Sequence, residues 1–133
     1  MKYCADTWLI LSLSDKDEKA VSILRSVKEG KSHLIIPAVV FAEATKKLLQ
    51  RGVQQKSIDL FWEGVEQSEK VKLIPVERTI AREAAHVSLT YGVPLIDSLV
   101  AATAKLTSCD MLLSADSDYA LLARKGYVKV QSW

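Results

Sequence analysis

Four carboxylates in this sequence stand where a predicted strand ends or a predicted helix begins. They are Asp6, Glu43, Asp97 and Asp116. The carboxyl ends of parallel strands meet at one edge of a sheet, so acids that are far apart in sequence can form one pocket there. Oxygen ligands without histidine or cysteine favour a hard cation. The pattern therefore predicts a site for Mg²⁺ or Mn²⁺.

Convergence of these acids would carry a large electrostatic cost without a cation. Two unit charges about 4 Å apart repel by roughly 4 kcal/mol at an effective dielectric constant near 20. The chemistry that a carboxylate-bound cation supports is phosphodiester hydrolysis, since the cation lowers the pKa of water and stabilises the leaving oxygen. No histidine base is required for this chemistry. His33, in a predicted strand, and His86, in a predicted helix, have no nucleophile beside them, and we interpret both as structural.

Each acid also has a purely structural interpretation. Asp6 could accept hydrogen bonds from loop amides, and Glu43 could form a surface pair with the lysine one turn further on. Asp97 is suited to be a helix N-cap, while Asp116 and Asp118 are natural turn residues. The apolar neighbours of Glu43 nevertheless predict that it is partly buried, and buried carboxylates are rare unless they are paired or bind a metal.

Short apolar segments alternate along the chain with amphipathic stretches of helical spacing. Strands are predicted at Tyr3–Ala5, His33–Ile36, Val71–Pro75, Asp110–Ser114 and Val128–Val130. Helices are predicted over about 20–27, Ala38–Gln50, around Ile58–Val65, and over Thr79–Tyr91, Asp97–Leu106 and Tyr119–Arg124. Strands that alternate with helices in this way indicate βαβ units and a mostly parallel central sheet.

Composition is that of an ordered globular protein. The 133 residues are 49% hydrophobic and 26% charged, with a net charge of +2, which predicts a single domain over residues 1–133. No apolar run approaches the roughly 18 residues that span a membrane, so we expect a cytoplasmic protein without membrane contact. Cys4 and Cys109 lack metal-ligand spacing and are interpreted as buried free thiols.

Four segments together resemble the PIN-domain ribonucleases, and their size and order are similar to the VapC-type toxins of prokaryotic toxin–antitoxin pairs. The segments are Ala5-Asp6-Thr7, the helix around Glu43, the stretch Ile96-Asp97-Ser98 through Ala104, and Leu113 through Tyr119. The resemblance covers nearly the whole chain. It implies a three-layer α/β/α fold with a central, mostly parallel sheet, and metal-dependent cleavage of RNA.

The same resemblance assigns roles to individual residues. The implied metal centre consists of Asp6, Glu43, Asp97 and Asp116. Asp118 would be a further ligand or a residue just behind them, Thr7 would support the site, and Ser114 would orient an acid or a water. Trp8 departs from the small polar residue that the family often has here. It could narrow the pocket, offer a stacking face for a base, or belong to the core.

Basic residues follow two of the acidic positions. Lys46, Lys47 and Arg51 follow Glu43 on one predicted helix, and Arg78 and Arg82 stand on the helix before Asp97. They form either a solvated face or a set of phosphate contacts that hold RNA by charge without reading its sequence.

Partners are implied by the resemblance alone. It implies a homodimer and a small DNA-binding antitoxin protein that covers the active site. Phe61 and Trp62 are candidates for the apolar surfaces involved, since aromatic residues dominate many interfaces. For at least one of the two, packing in the core is the stronger interpretation.

Three other functions compete with a toxin nuclease. A housekeeping RNA-processing or RNA-quality nuclease would have the same fold and no antitoxin. A receiver-like signalling domain would need paired acids after the first strand and a lysine after a late strand, whereas Asp6 stands alone and no lysine follows Ser114. A binding module that has lost catalysis is disfavoured by the complete acidic set.

Overall fold

The fold is built on a five-stranded sheet in which every neighbouring pair of strands is parallel. The computed structural model describes all residues from Met1 to Trp133. The strands are β1 (Lys2–Ala5), β2 (His33–Pro37), β3 (Val71–Ile74), β4 (Met111–Leu113) and β5 (Val130–Gln131). Their order across the sheet is β3-β2-β1-β4-β5. Parallel neighbours need long crossover connections, which the helices provide.

Seven helices flank this sheet and complete a three-layer α/β/α arrangement. They are α1 (Thr7–Ser14), α2 (Glu18–Lys28), α3 (Ala38–Gln50), α4 (Gln55–Glu66), α5 (Arg78–Tyr91), α6 (Leu95–Leu106) and α7 (Ser117–Arg124). The predicted fold class is confirmed, and the sheet is wholly rather than mostly parallel. No single helix is long and apolar enough to cross a membrane, and only α5 and α6 taken together, bent by 120°, have the required length and composition.

The main core lies between the sheet and its helices and contains 25 buried side chains. Strands covered on both faces are apolar throughout, and Leu34, Ile35 and Ile36 in β2 are all buried accordingly. Helix α6 contacts β1, β2 and β4. Ala101 and Ala104 are buried in α6, and because their side chains are short, the helix packs directly on the sheet.

Proline and glycine set the bounds of two helices that carry or position the acids. Pro37 ends β2 and occupies the N-cap position of α3 with φ −60°, where its missing amide hydrogen costs nothing. Gly92 ends α5 in the left-handed conformation, with φ +70°, which glycine adopts without the strain of a Cβ atom. Both helix ends agree with the sequence predictions.

Three local predictions are wrong. Helix α6 begins at Leu95 with Pro94 at the N-cap position, so Asp97 lies inside the first helical turn and does not follow a strand or cap the helix. The fixed φ of proline favours this earlier start. The last strand begins at Val130 rather than Val128. The amide of Tyr127 still donates a 2.9 Å hydrogen bond to the carbonyl of Leu122 in the turn after α7, and backbone bonding to β4 is seen at Lys129, whose carbonyl accepts from the Leu112 amide.

The third wrong prediction concerns the second thiol. Cys4 is buried within β1, as expected, but Cys109 is half-buried and lies in the turn before β4. Both cysteines are free. His33 and His86 are both exposed, so neither contributes to the core, and neither lines the acidic cleft described below.

Candidate metal centre at the carboxyl edge of the sheet

A cleft of about 260 Å³ opens at the carboxyl ends of β1 and β4. All four acids that were predicted to converge line it, namely Asp6, Glu43, Asp97 and Asp116. A larger cavity of about 810 Å³ lies near Met1 and Tyr127, but it contains a single carboxylate, Asp110. The larger cavity therefore lacks a set of anionic ligands. Of the two, the smaller cleft is the one with carboxylate oxygens that could bind a cation.

Asp6 is held in place by the end of β4. It follows β1 directly and is only 8% exposed. The Ser114 hydroxyl donates a 2.7 Å hydrogen bond to Asp6 Oδ2 and accepts one of 3.1 Å from the Asp116 amide. The pairing of Ala5 with Leu113 in the parallel register brings these residues together just beyond the two strands. The predicted proximity of Ser114 to an acid is thus observed.

Tyr119 is a residue of this site to which sequence reasoning assigned no role. Its side chain is fully buried, and its hydroxyl lies 3.3 Å from Asp6 Oδ1 and 3.4 Å from Asp97 Oδ1. Burial and the charges of the two acids raise the pKa of Tyr119 well above its usual range. The phenol therefore stays protonated and can donate a hydrogen bond to an acid. The only signal in the sequence was its place one residue after Asp118.

Three carboxylates form the most compact part of the cluster. One oxygen from each of Asp97, Asp116 and Asp118 lies within 4.8 Å of the others. Asp116 also caps α7, because its Oδ1 accepts a 2.8 Å hydrogen bond from the Asp118 amide. A carboxylate has two oxygens, so a capping role and a ligand role are compatible in Asp116.

The pKa values of the acids report the crowding of negative charge. Burial raises the pKa of Asp97 from 3.8 to about 7, with further contributions from a hydrogen bond shared with Asp118 and from the charges of Asp116 and Asp6. Burial also raises the pKa of Asp6, while the hydrogen bond from Ser114 opposes the shift. Without a cation, Asp97 and Asp6 therefore stay protonated at pH values at which a carboxylic acid in water would already be ionised.

Glu43 combines the two roles that its sequence allowed. It lines the cleft from α3, its side chain is 39% exposed, and its Oε1 lies 4.0 Å from Nζ of Lys47 one helical turn on. Exposed pairs of this kind contribute about 0–1 kcal/mol, so the pair is easily separated. Glu43 is thus free to turn towards a cation in the cleft.

Thr7 forms part of the wall of the cleft, directly after Asp6. Its side chain is only 3% exposed, lines the cleft, and has no hydrogen-bond partner for Oγ1. A buried hydroxyl without a partner costs about 1–3 kcal/mol. The fit to a hard divalent cation rests on the acids, which form an all-oxygen set of ligands and whose raised pKa values reflect protons that a cation would replace.

Of the basic residues considered for RNA binding, only Lys47 lines the cleft. Lys46 and Arg82 are exposed and stand outside it. Arg51 is also outside and forms a salt bridge of 3.1 Å with Asp15. The predicted basic residues therefore do not form one continuous patch at the site.

The aromatic residues of interest separate into core and cleft. Trp62 is buried, donates a 3.1 Å hydrogen bond to Thr45 and packs against Phe41, so it is a core residue and not a surface for a partner. Phe61 is half-buried. Trp8 is half-buried and lines the cleft, which excludes burial in the core as its role.

Comparison with known proteins agrees with this geometry. Residues 3–125 match the family described as the PIN domain. No curated protein sequence matches the chain. Among solved structures, a chain of VapBC2 from Rickettsia felis, bound to a fragment of promoter DNA, has a TM-score of 0.77 at 12% identity, covering 100% of this chain and 99% of that one.

Two further structures have the same fold. VapC20 from Mycobacterium tuberculosis, described as a toxin that cleaves the sarcin-ricin loop, has a TM-score of 0.70 at 16% identity, covering 97% of this chain and 98% of that one. VapBC-1 from nontypeable Haemophilus influenzae has a TM-score of 0.70 at 18% identity, covering 100% of this chain and 98% of that one. At identities this low, the structural similarity establishes a shared fold and nothing more.

Proposed function

The chain belongs to the PIN-domain family, and from this membership we propose that it is an endoribonuclease that hydrolyses RNA phosphodiester bonds with Mg²⁺ or Mn²⁺. The observation that carries the proposal is the approach of Asp97, Asp116 and Asp118 oxygens to within 4.8 Å of one another. Asp6 and Glu43 line the same cleft. A bound divalent cation would favour ionisation of water and offset the charge that develops on the phosphate.

The chain's own residues divide the work in this proposal. The ligand set is Asp6, Glu43, Asp97, Asp116 and Asp118. Ser114 and Tyr119 donate hydrogen bonds to Asp6 and keep its carboxylate oriented. Thr7 supports the wall of the cleft beside Asp6, and Lys47 attracts the RNA backbone. Oriented acids matter because a small misplacement of the reacting groups costs a large part of the rate.

RNA is the proposed substrate because a chain of the same fold, VapC20, is described as cleaving the sarcin-ricin loop. We extend the proposal to a cytoplasmic toxin that is neutralised by a small DNA-binding antitoxin, since similar chains occur in VapBC and FitAB complexes with DNA. A homodimer is part of this proposal. Leu89 and Leu95 are 85% and 56% exposed and supply apolar surface for it.

Residues 1–133 form, in this proposal, one PIN-like nuclease domain. The test is cleavage of total RNA by the purified chain with Mg²⁺, with Mn²⁺ and with a chelator. Cleavage that requires either metal supports an endoribonuclease. Equal cleavage with the chelator would contradict the metal requirement, and no cleavage with either metal would contradict the nuclease.

A housekeeping RNA-processing nuclease is the second candidate, because it would use the same cleft without an antitoxin. Induced expression in a bacterial host distinguishes the two. A toxin arrests growth, Asp116→Asn relieves the arrest, and a gene for a small DNA-binding protein next to this one restores growth when both are expressed. Normal growth during expression of an active enzyme would favour the housekeeping nuclease.

A further inference from the structure

The acidic cleft has an apolar side that metal chemistry does not use. Trp8 and Leu11, three residues apart on one face of α1, both line the cleft. Trp8 is half-buried. Part of the indole of Trp8 therefore stays uncovered beside a charged site. Because burial of apolar surface stabilises a fold, this placement requires an explanation.

A second indole supports the first from behind. The ring centroids of Trp8 and Trp133 are 4.5 Å apart, with an interplanar angle of 46°. Nε1 of Trp133 donates a 3.0 Å hydrogen bond to Oδ1 of Asp17. That oxygen also accepts from the amides of Lys19 and Ala20 at the start of α2. Trp133 is therefore tied to the N-terminal cap of α2, and its ring packs against that of Trp8.

We propose that Trp8, backed by Trp133, is a stacking platform for an unpaired RNA base beside the bond that is cut. This inference rests on the proposed ribonuclease function and deepens it by assigning a residue that would bind a base of the substrate. A base can stack on a side chain only when it has left its duplex, so the substrate is a single strand or a loop. Proteins that bind single strands combine aromatic faces with cationic groups, and Lys47 supplies the cation in the same cleft.

Preorganisation strengthens this role. A ring that is already held in place by Trp133 loses little side-chain freedom when a base covers it, so more of the stacking energy appears as affinity. If Trp8 only packed against Trp133, its replacement would affect the stability of the fold but would act equally on every RNA. Dependence on the presence of a base therefore separates the two roles.

The test measures binding in the Asp97→Asn background, in which RNA should bind without being cut. The probe is a short fluorescein-labelled oligoadenylate, compared with the same oligonucleotide carrying an abasic ribose at each position in turn. Trp8→Leu should weaken binding of the intact probe by between about 5-fold and about 100-fold, and Trp8→Phe by less. When the abasic ribose replaces the nucleotide whose base would stack on Trp8, Trp8→Leu and the Asp97→Asn parent should bind the probe with equal affinity.

Controls and a second variant keep the result interpretable. Phe61→Leu removes another half-buried aromatic ring, outside the cleft, and should leave both probes unaffected. Trp133→Ala removes only the backing ring and should cause a smaller loss with the same abasic dependence. It also carries the test if Trp8→Leu does not fold, as judged by circular dichroism.

The outcomes distinguish the stacking role from the function on which it rests. RNA cleavage by the wild-type chain, combined with an equal loss by Trp8→Leu on intact and abasic probes, or with affinity unchanged within about 2-fold, overturns the stacking platform alone. If the wild-type chain cleaves no RNA and its Asp97→Asn variant binds none, the ribonuclease function fails and the platform fails with it.

Discussion

The hydroxyl of Ser114 donates a 2.7 Å hydrogen bond to Oδ2 of Asp6, joining residues that are 108 positions apart in the chain. The parallel pairing of β1 and β4 makes this contact possible, because Ala5 lies opposite Leu113 and the next residues leave the sheet together. A slip of the register by one residue would turn either side chain to the other face of the sheet. The geometry of the cleft therefore depends on correct strand pairing.

Ser114→Ala should weaken metal binding. The hydrogen bond from Ser114 opposes the burial that raises the pKa of Asp6, so its loss raises that pKa further and makes a proton compete better with the cation. Residues that orient metal ligands typically contribute about 10-fold to 100-fold in metal affinity or activity. The measurement is the cleavage rate as a function of Mg²⁺ concentration at fixed pH. Ser132→Ala, at an exposed position, is the control, and an unchanged Mg²⁺ dependence in Ser114→Ala would contradict the prediction.

Tyr119→Phe should affect both stability and the metal requirement. The phenol lies within hydrogen-bond distance of both Asp6 and Asp97, and its removal should lower the free energy of unfolding by about 1 kcal/mol. Denaturant unfolding in a chelator measures this loss, and cleavage at limiting Mn²⁺ measures the metal requirement.

A matched control for Tyr119→Phe exists on the other side of the molecule. Tyr127→Phe removes a hydrogen bond of 2.9 Å to Glu83, away from the acidic cleft. It should lower stability by a similar amount and leave the Mn²⁺ requirement as it is in the wild-type chain. Equal Mn²⁺ requirements in the two variants would show that Tyr119 acts only on stability.

Stability without metal should fall as the pH rises. The pKa of Asp97 is about 7 in the folded chain against an ordinary value of 3.8. Between these values the folded state binds more protons than the unfolded state, so the contribution of Asp97 is fully present below the lower pKa and is lost as the pH rises through the upper one. In a chelator, Asp97→Asn should therefore gain Tm relative to the wild-type chain as the pH rises from about 4 to about 8.

Thermal unfolding across this pH range, with and without Mn²⁺, is the measurement. Mn²⁺ should prevent the fall in Tm of the wild-type chain at high pH, because the cation replaces the proton. It should have little effect on the Tm of Asp97→Asn. Asp59→Asn is the control, since Asp59 is exposed and its side chain accepts a hydrogen bond only from Gln55. A difference in Tm between wild type and Asp97→Asn that does not change with pH would contradict the assignment.

Lys47→Gln should weaken RNA binding more than Arg51→Gln. Lys47 lines the cleft, whereas Arg51 lies outside it and is paired with Asp15. One lost phosphate contact lowers the slope of log affinity against log salt by about 1. Titration of a labelled oligonucleotide at several salt concentrations measures the slope. Equal slopes for the two variants would mean that Lys47 does not contact a phosphate.

Much of the fold was predictable because the hydrophobic patterns and the proline and glycine residues indicate the same helix and strand bounds. The helix predicted over Ala38–Gln50 has those bounds in the structure, with Pro37 before it and an amphipathic pattern within it. The start of α6 was placed too late, because Pro94-Leu95-Ile96 has the composition of an extended segment. Pro94 at the N-cap position, with φ −52°, instead favours a helix that begins at once.

The convergence of the acids was predictable in outline, and the contacts among them were not. Asp6 and Asp116 both follow strands, so the rule for the carboxyl edge of parallel sheets brings them together. The position of Tyr119 beneath Asp6 and Asp97 depends on how α7 packs, which no local pattern encodes. The same holds for Trp133, because its contact with Trp8 joins the two ends of the chain.

Cleavage of RNA by the wild-type chain and by Asp97→Asn, each with Mg²⁺, with Mn²⁺ and with a chelator, tests the assignment of the acidic cleft most directly. Asp97 belongs to the compact carboxylate cluster, and a neutral amide cannot replace an anionic ligand that attracts a cation. We predict cleavage by the wild-type chain that requires metal, and a loss of that cleavage in Asp97→Asn, which should remain folded by circular dichroism. Equal metal-dependent cleavage by the two proteins would contradict the site.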